Sequence, residues 1–316
     1  MIEGKTVGVV IPAYNEELLL EPTLAGVPKF VDRIYVVDDA SRDGTVGRAH
    51  TAAARDGRIV VIVHERNGGV GAAVVTGYKR AIEDRMDVVC VMNADNQMDP
   101  EELEGLATPV ALGELDYAKA NRLFTGQAWD LIPHTRYLGN AALSLLTKIA
   151  SGYWHVADSQ AGYTAIGLPT LERLQLERVY TNYGYPNDML VHLNIWNARV
   201  RDVPSRPIYG VGERSGIRLR RVVPKITWLL FKRFWWRLWH KYVIRDFHPL
   251  VFFYVFGVMA SLLGLAIGVW QTTARYVTGG RPTAGTVVLI ALFMMFGLLF
   301  TLFAMWFDME SNKDLR

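Results

Sequence analysis

Asp87-Val-Val-Cys-Val-Met-Asn-Ala-Asp-Asn-Gln-Met-Asp-Pro100 is the stretch that decides the fold. The apolar run Val88 to Met92 reads as a buried strand and stops at a polar cluster of Asn93, Asp95, Asn96, Gln97 and Asp99. Ligands of open α/β sheets bind in the crevice beyond the carboxyl ends of the strands, where such a cluster would lie. Hard oxygen donors there suit Mg²⁺ or Mn²⁺ carrying a phosphorylated substrate. The same residues also read as a plain strand, a polar turn and a helix start at Asp99-Pro100. The flanking chain decides between the two.

Upstream, the pattern repeats. Thr6 to Ile11 is a β-branched run that ends in Pro-Ala-Tyr-Asn-Glu-Glu, and Leu18 to Gly26 reads as helix. Arg33 to Val37 ends in Asp38-Asp39-Ala-Ser-Arg-Asp-Gly, followed by a helix to about Asp56. Ile59 to Val63 ends in Glu65-Arg-Asn-Gly-Gly-Val-Gly, and a helix over Ala72 to Glu83 leads back to Val88. Four strand–helix alternations predict an α/β domain with a mainly parallel sheet and helices on both faces. Polar, small and acidic residues gather just after each strand, on the ligand-binding edge. Residues 116–206 alternate less regularly, with Val200 to Pro204 a short edge-like strand stopped by proline.

The C-terminal third differs in kind. Pro249 to Trp270 and Thr286 to Phe307 carry no charged residue, and each is long enough to cross a bilayer as a helix. Lys225, Lys232, Arg233, Arg237, Lys241 and Arg245 precede the first run, and Lys313 and Arg316 follow the second. This excess predicts an integral membrane protein with both termini and the large N-terminal domain in the cytoplasm. Arg233, Arg237, Lys241 and Arg245 recur every four residues, opposite Phe231, Trp235, Leu238, Trp239 and Tyr242. A basic face opposite an aromatic one predicts a helix lying in the headgroup layer. The expected organisation is a domain over residues 1–222, a juxtamembrane helix over 223–247, two spans over about 249–270 and 286–307 within 248–308, and a tail over 309–316. Gly257, Ser261, Gly264 and Gly268 form a small-residue stripe that permits close helix packing and a homo-oligomer through the membrane helices. The single cysteine, Cys90, lies in an apolar strand and reads as core. No cleavable signal peptide and no nucleic-acid partner are expected.

The ordered set Val10-Ile-Pro-Ala-Tyr-Asn-Glu16, Val37-Asp-Asp-Ala-Ser-Arg-Asp-Gly44, Asn67-Gly-Gly-Val-Gly71 and Asn93-Ala-Asp95 resembles family 2 inverting glycosyltransferases. With Arg122, Arg136 and Asp158-Ser-Gln-Ala-Gly-Tyr163 it is similar to the branch containing dolichyl-phosphate mannose and glucose synthases and bacterial polyprenyl-phosphate glycosyltransferases. The resemblance covers roughly residues 5–220. It implies a GT-A, Rossmann-like fold, a nucleotide-diphosphate sugar donor (a UDP-sugar first, GDP-mannose next), Mg²⁺ or Mn²⁺, and a polyprenyl or dolichyl phosphate acceptor at the lipid bilayer.

By resemblance, Pro12, Ala13, Tyr14 and Glu16 hold base and ribose, and Asp38 and Asp39 contact the nucleoside. Asn67, Gly68, Gly71, Asn93, Ala94 and Arg214 complete the donor site, with Arg214 in a segment that closes over the diphosphate. Asp95 matches the second acid of the metal motif, whose first position is Asn93 here. The resemblance therefore rests the metal on Asp95, Gln97 and Asn93 together with donor oxygens. Arg122 and Arg136 match acceptor-phosphate arginines, supported by Asn140. Asp188 aligns with the base of relatives that use hydroxyl acceptors, and here it is expected on sugar hydroxyls. The catalytic set implied is Asp95, Arg122, Arg136 and Asp188.

Three rival readings compete. A processive polysaccharide synthase would carry Gln-x-x-Arg-Trp and more spans, and Lys232-Arg-Phe-Trp-Trp236 is not that motif. A transferase acting on a glycolipid hydroxyl, and a non-catalytic membrane-anchored nucleotide-sugar-binding protein, both stay open at this point.

Overall fold

The computed structural model of the 316-residue chain describes residues 1–124, 134–206, 208, 219–279 and 282–316, without the side chains of 134–138, 140, 219–221 and 278. These residues form two compact units, residues 1–237 with 314–316, and residues 238–313.

The first unit is built on a seven-stranded sheet in the order β3-β2-β1-β4-β6-β5-β7. Its strands are β1 (Val7–Ala13), β2 (Arg33–Asp38), β3 (Ile59–Val63), β4 (Val88–Val91), β5 (Tyr117–Asn121), β6 (Thr164–Gly167) and β7 (Val200–Pro204). The helices are α1 (Leu20–Gly26), α2 (Thr45–Arg55), α3 (Val70–Glu83), α4 (Leu103–Ala111), α5 (His134–Ser151), α6 (Leu168–Arg173), α7 (Tyr185–Ile195) and α8 (Leu219–Trp239). β1 to β4 pair in parallel, as their apolar runs predict. β6 alone runs against both its neighbours, β4 and β5. Two reversals restore direction, so the carboxyl ends of β1, β2, β4 and β5 share one edge.

The period of two along each strand divides the core. Val7, Val9 and Ile11 face one apolar cluster with Leu20, Leu24 and Leu103. Val10 faces the other, with Tyr35, Val74 and Tyr78. Both faces are covered, which is why these strands read as continuous apolar runs.

α8 forms over Leu219–Trp239, where a helix over 223–247 was expected, and its Arg233 and Arg237 turn toward protein. Arg237 is fully buried. Its guanidinium donates to the Ala150 carbonyl at 2.8 Å and the Ile149 carbonyl at 3.2 Å. Those carbonyls lie in the last turn of α5, where helical acceptors have no partner of their own and the dipole favours a cation. Arg233 is likewise committed, to Asp188. The side of α8 left exposed carries Trp228 and Phe231, stacked with ring centroids 5.5 Å apart, together with Lys225 and Lys232.

The second unit is a helical hairpin of α9 (Leu250–Thr278) and α10 (Ala284–Ser311), both long and apolar enough to cross a membrane. α9 runs on past the expected span end at about 270, through Gln271 to Thr278. The small-residue stripe is used inside the hairpin rather than left free for a second copy. A Cβ on Gly257 would lie 2.6 Å from Thr301 Oγ1, and one on Gly264 3.1 Å from Phe293 Cβ. The open end is tied by buried polar groups. Tyr242 donates to Asp308 at 2.7 Å, Lys241 donates to Asn312 at 2.6 Å, and Asn312 donates to the Tyr242 hydroxyl at 2.9 Å. Elsewhere the hairpin presents Phe256, Leu262, Trp270, Leu298 and Leu302 outward, a surface matched to lipid rather than water. The protein is a membrane protein on this ground.

Candidate active site

The donor side is made where β1 and β2 end. Pro12 and Ala13 are buried at the end of β1, and Tyr14 beyond them is 43% exposed. The loop that follows is laced to the loop after β2. Asn15 N–H donates to Ser41 Oγ at 2.9 Å, Arg42 N–H to Asn15 Oδ1 at 2.9 Å, and Glu16 N–H to Thr45 Oγ1 at 2.8 Å. The first two polar clusters of the sequence therefore fold as one surface.

The two adjacent aspartates at the end of β2 have different tasks. Asp38 is buried; its Oδ2 accepts from Ser41 N–H at 2.9 Å, while Oδ1 has no partner among the described residues. A buried acceptor left open at this edge is a group that a base N–H or ribose hydroxyl satisfies. Asp39, expected on the nucleoside, instead holds the glycine-rich turn. Its carboxylate accepts from Gly68 N–H at 2.8 Å, Gly69 N–H at 2.7 Å and His64 Nδ1 at 2.8 Å, and the residue is 3% exposed. Asn67 donates to the Asp39 carbonyl at 3.2 Å.

Two glycines of that turn, Gly69 and Gly71, are required by the protein's own packing. Gly69 has φ +93°, and Gly71 N–H donates to the Thr181 carbonyl at 2.8 Å. A Cβ on Gly71 would lie 2.9 Å from both the Thr181 carbonyl carbon and Tyr185 Cβ. Gly71→Ala is therefore expected to cost about 1–3 kcal/mol from overpacking. Gly47→Ala, at an open helical site, should instead stabilise by roughly 0.5–1 kcal/mol. Thermal unfolding of the two variants compares them directly.

The loop after β4 brings the polar cluster to the same edge. Asn93, Asp95 and Gln97 are partly exposed and Ala94 is buried. Asp95 Oδ1 accepts from Gln97 N–H at 3.2 Å, and Asn93 N–H points at Met98 Sδ at 3.2 Å. Burial first, then the charges of Asp95 and Asp43, push the Glu16 carboxyl up to about 7. Glu16 and Asp95 thus share one field, and their mutual repulsion is what a divalent cation relieves. Among the described residues no three His, Cys, Asp or Glu side chains converge as a self-sufficient cage. Asp95, Asn93 and Gln97 offer hard oxygen donors on one partly exposed loop, the donor type that suits Mg²⁺ or Mn²⁺ when phosphate supplies further oxygens.

A second group of polar residues begins at the end of β5. Arg122 pairs two-pronged with Asp158, Nε to Oδ2 at 2.8 Å and Nη2 to Oδ1 at 3.2 Å. Burial raises the Asp158 carboxyl, but the charge and hydrogen bonds of Arg122, with Lys119 behind, outweigh it and hold it below the usual range. Asp158 opens the Asp-Ser-Gln-Ala-Gly-Tyr segment, which closes on the donor loop: Tyr163 donates to the Asp99 carbonyl at 2.8 Å. Arg136 and Asn140 lie on α5, with side chains outside the described residues, and Arg214 lies outside the described residues altogether.

Asp188 does not join the site. It is fully buried in the first turn of α7. Arg233 donates to Oδ1 at 2.6 Å and Oδ2 at 3.2 Å, and Tyr180 N–H donates to Oδ2 at 2.7 Å. With both oxygens so occupied, the carboxylate anchors α8 to α7. Asp158, Tyr163, His64 and Arg233 were not among the expected site residues. Asp158 and Tyr163 had a signal, since they bound one polar motif.

Known proteins agree with this architecture. The chain is 28% identical over 218 residues to a UDP-N-acetylglucosamine–dolichyl-phosphate N-acetylglucosaminyltransferase of Methanococcus voltae, covering 65% of this chain and 86% of the relative. It is 32% identical over 198 residues to an undecaprenyl-phosphate mannosyltransferase of Micrococcus luteus, covering 62% and 80%. Among solved structures, glucosyl-3-phosphoglycerate synthase from Mycobacterium tuberculosis in complex with uridine diphosphate superposes with TM-score 0.57 at 21% identity, covering 73% of this chain and 80% of that one. The description Glycosyl transferase family 2 matches residues 8–166. Half the chain thus fits that description, and the sheet edge carries its polar clusters in order: the protein belongs to glycosyl transferase family 2.

Proposed function

We propose that this protein is a membrane-bound inverting glycosyltransferase that moves a hexose from a nucleotide-diphosphate sugar to the phosphate of a polyprenyl or dolichyl phosphate. The relatives named above act on dolichyl phosphate and undecaprenyl phosphate by their names. The observation that carries the reading is the meeting at one sheet edge of an acidic donor side, Glu16 with Asp95, and an arginine held in place by Asp158, Arg122. The chain that bears both also bears an apolar hairpin.

Two anionic substrates must be held together, so positioning and charge neutralisation are the enzyme's tasks. A phosphomonoester has a second pKa of about 6 and is mostly dianionic at neutral pH, so it attacks without a general base. The commitment of Asp188 to Arg233 favours this acceptor over a glycolipid hydroxyl, which would need one. Asp38 offers its open oxygen to the nucleoside, while Pro12, Ala13 and Tyr14 shape the pocket. Asn93, Asp95 and Gln97 would hold Mg²⁺ or Mn²⁺, which when bound neutralises the leaving diphosphate. A solved fold relative was crystallised with Mn²⁺ and uridine diphosphate. Arg122 presents its guanidinium to the acceptor phosphate, joined by Arg136 and Asn140 from α5; Arg214 adds charge at the diphosphate. A UDP-sugar is the first candidate donor and GDP-mannose the next. The basic residues flanking the hairpin orient both termini and the catalytic unit to the cytoplasm.

Incubating the purified protein with a donor panel and polyprenyl phosphate should give one glycosylated lipid by mass spectrometry. Nucleoside diphosphate should be released only when the lipid phosphate is present. Equal turnover with the unphosphorylated polyprenol would reject the proposal.

A further inference from the structure

Lys119 is the most anomalous charge in the catalytic unit. It lies mid-strand in β5 and is fully buried. Lysines are almost never buried to this degree unless paired. Its Nζ donates to the Ala161 carbonyl. Its register partner across the β5–β7 pair is Asp202. Asp202 Oδ2 accepts from Ala157 N–H at 2.6 Å, and Oδ1 is buried without a partner among the described residues. Between those two ties lies Asp158, which accepts from Gln160 N–H at 3.2 Å and carries Arg122. The segment 157–161 is therefore held at one end by Lys119 and at the other by the aspartate paired with it in register.

We propose that Lys119 is the positioning residue for the acceptor arginine: it fixes segment 157–161, and with it the Asp158 carboxylate that aims Arg122 at the acceptor phosphate. The inference rests on the functional reading of Arg122 given above. Lys119 touches no substrate. It acts in two ways. Mechanically, it pins the loop through Ala161. Electrostatically, the lysine shares the Asp158 carboxylate with Arg122, so the guanidinium is less fully neutralised and keeps more of its attraction for phosphate, while Asp202 balances the buried lysine.

The charged groups facing Lys119 are Asp158 from the loop, Asp202 from β7 and Arg122 from just beyond the end of β5. Burial pushes the Lys119 ammonium down to about 8, against the opposing pull of Asp158 and Asp202. Burial raises the Asp202 carboxyl above its ordinary range. As pH rises through about 8 the ammonium loses its proton. The acceptor phosphate is fully dianionic well below that, with a second pKa of about 6. A fall in kcat/KM for the acceptor above that point would thus report the enzyme rather than the substrate.

The test uses the full-length protein and polyprenyl phosphate. Lys119→Met is expected to raise KM for polyprenyl phosphate by roughly 10- to 100-fold. It should leave nucleoside-diphosphate affinity unchanged and remove the alkaline fall expected of the wild type. Because this variant leaves the buried Asp202 carboxylate without its cation while Asp158 keeps Arg122, Lys119→Met with Asp202→Asn is the second variant. Its neutral cluster should restore thermal stability while KM for the acceptor stays raised. Wild-type acceptor KM and an unchanged pH profile in either variant overturn the inference alone. A wild-type protein that binds nucleoside diphosphate but never glycosylates polyprenyl phosphate overturns the functional reading and the inference with it.

Discussion

Asp95→Ala is expected to abolish transfer, by roughly 10³-fold or more in kcat, because a metal-held diphosphate is worth several kcal/mol in the transition state. Asn93→Asp is expected to retain transfer and tighten metal binding. The two substitutions test opposite halves of one motif. Burial first, then the charges of Asp95 and Asp43, push Glu16 up to about 7, so Asp95 lies where negative charge is already crowded. Asn93 N–H meets Met98 Sδ, and its side-chain oxygen would lie 3.7 Å from a Cβ on Gly162, on the floor joining the donor loop to the acceptor segment. A carboxylate at Asn93 adds a third charge beside Asp95 and Glu16. Without metal the protein should therefore melt earlier than the wild type, and with saturating Mn²⁺ the melting temperature should rise by more, as ligand linkage requires. In Asp95→Ala the Mn²⁺-dependent shift should vanish along with transfer. A fully active Asp95→Ala enzyme would place the metal elsewhere.

The sequence showed where the first four strands lie because each is an apolar β-branched run that breaks at a polar turn. Ile59–Val63 and Val200–Pro204 match to the residue. β5 was less legible, because a lysine interrupts its pattern and the partner that makes it tolerable, Asp202, is far away in sequence. β6 is four residues long and lies just beyond a polar motif. Periodicity grouped Arg233 with Arg237 but could not orient them. What turns them inward are Asp188, 45 positions from Arg233, and the α5 carbonyls, 87 and 88 positions from Arg237. The same limit separates Asp38 from Asp39. As neighbours they look equivalent, yet the chain turns at the strand end and sends one to the glycine-rich turn. Motif order located the site, whereas side-chain direction had to come from tertiary partners.

The Asp188–Arg233 pair gives the second large effect. Arg233→Met leaves a fully buried carboxylate without its cation, and Asp188→Asn leaves a guanidinium without its anion. Breaking a buried pair from one side costs about 3–5 kcal/mol. For a unit of this size that lowers the melting temperature by roughly 10 °C. His192 cannot substitute, since its Nε2 lies 3.6 Å from Asp188 Oδ2, beyond hydrogen-bonding reach. Asp188→Asn with Arg233→Met removes both charges and should recover most of the lost stability, because a neutral pair of similar volume carries no desolvation penalty. It should also recover transfer. That last result separates structure from chemistry: a carboxylate acting as a base cannot be rescued by deleting the arginine that covers it, whereas an anchor can. A double variant that folds as the wild type does but stays inactive would return Asp188 to the catalytic set and reopen the case for a hydroxyl acceptor.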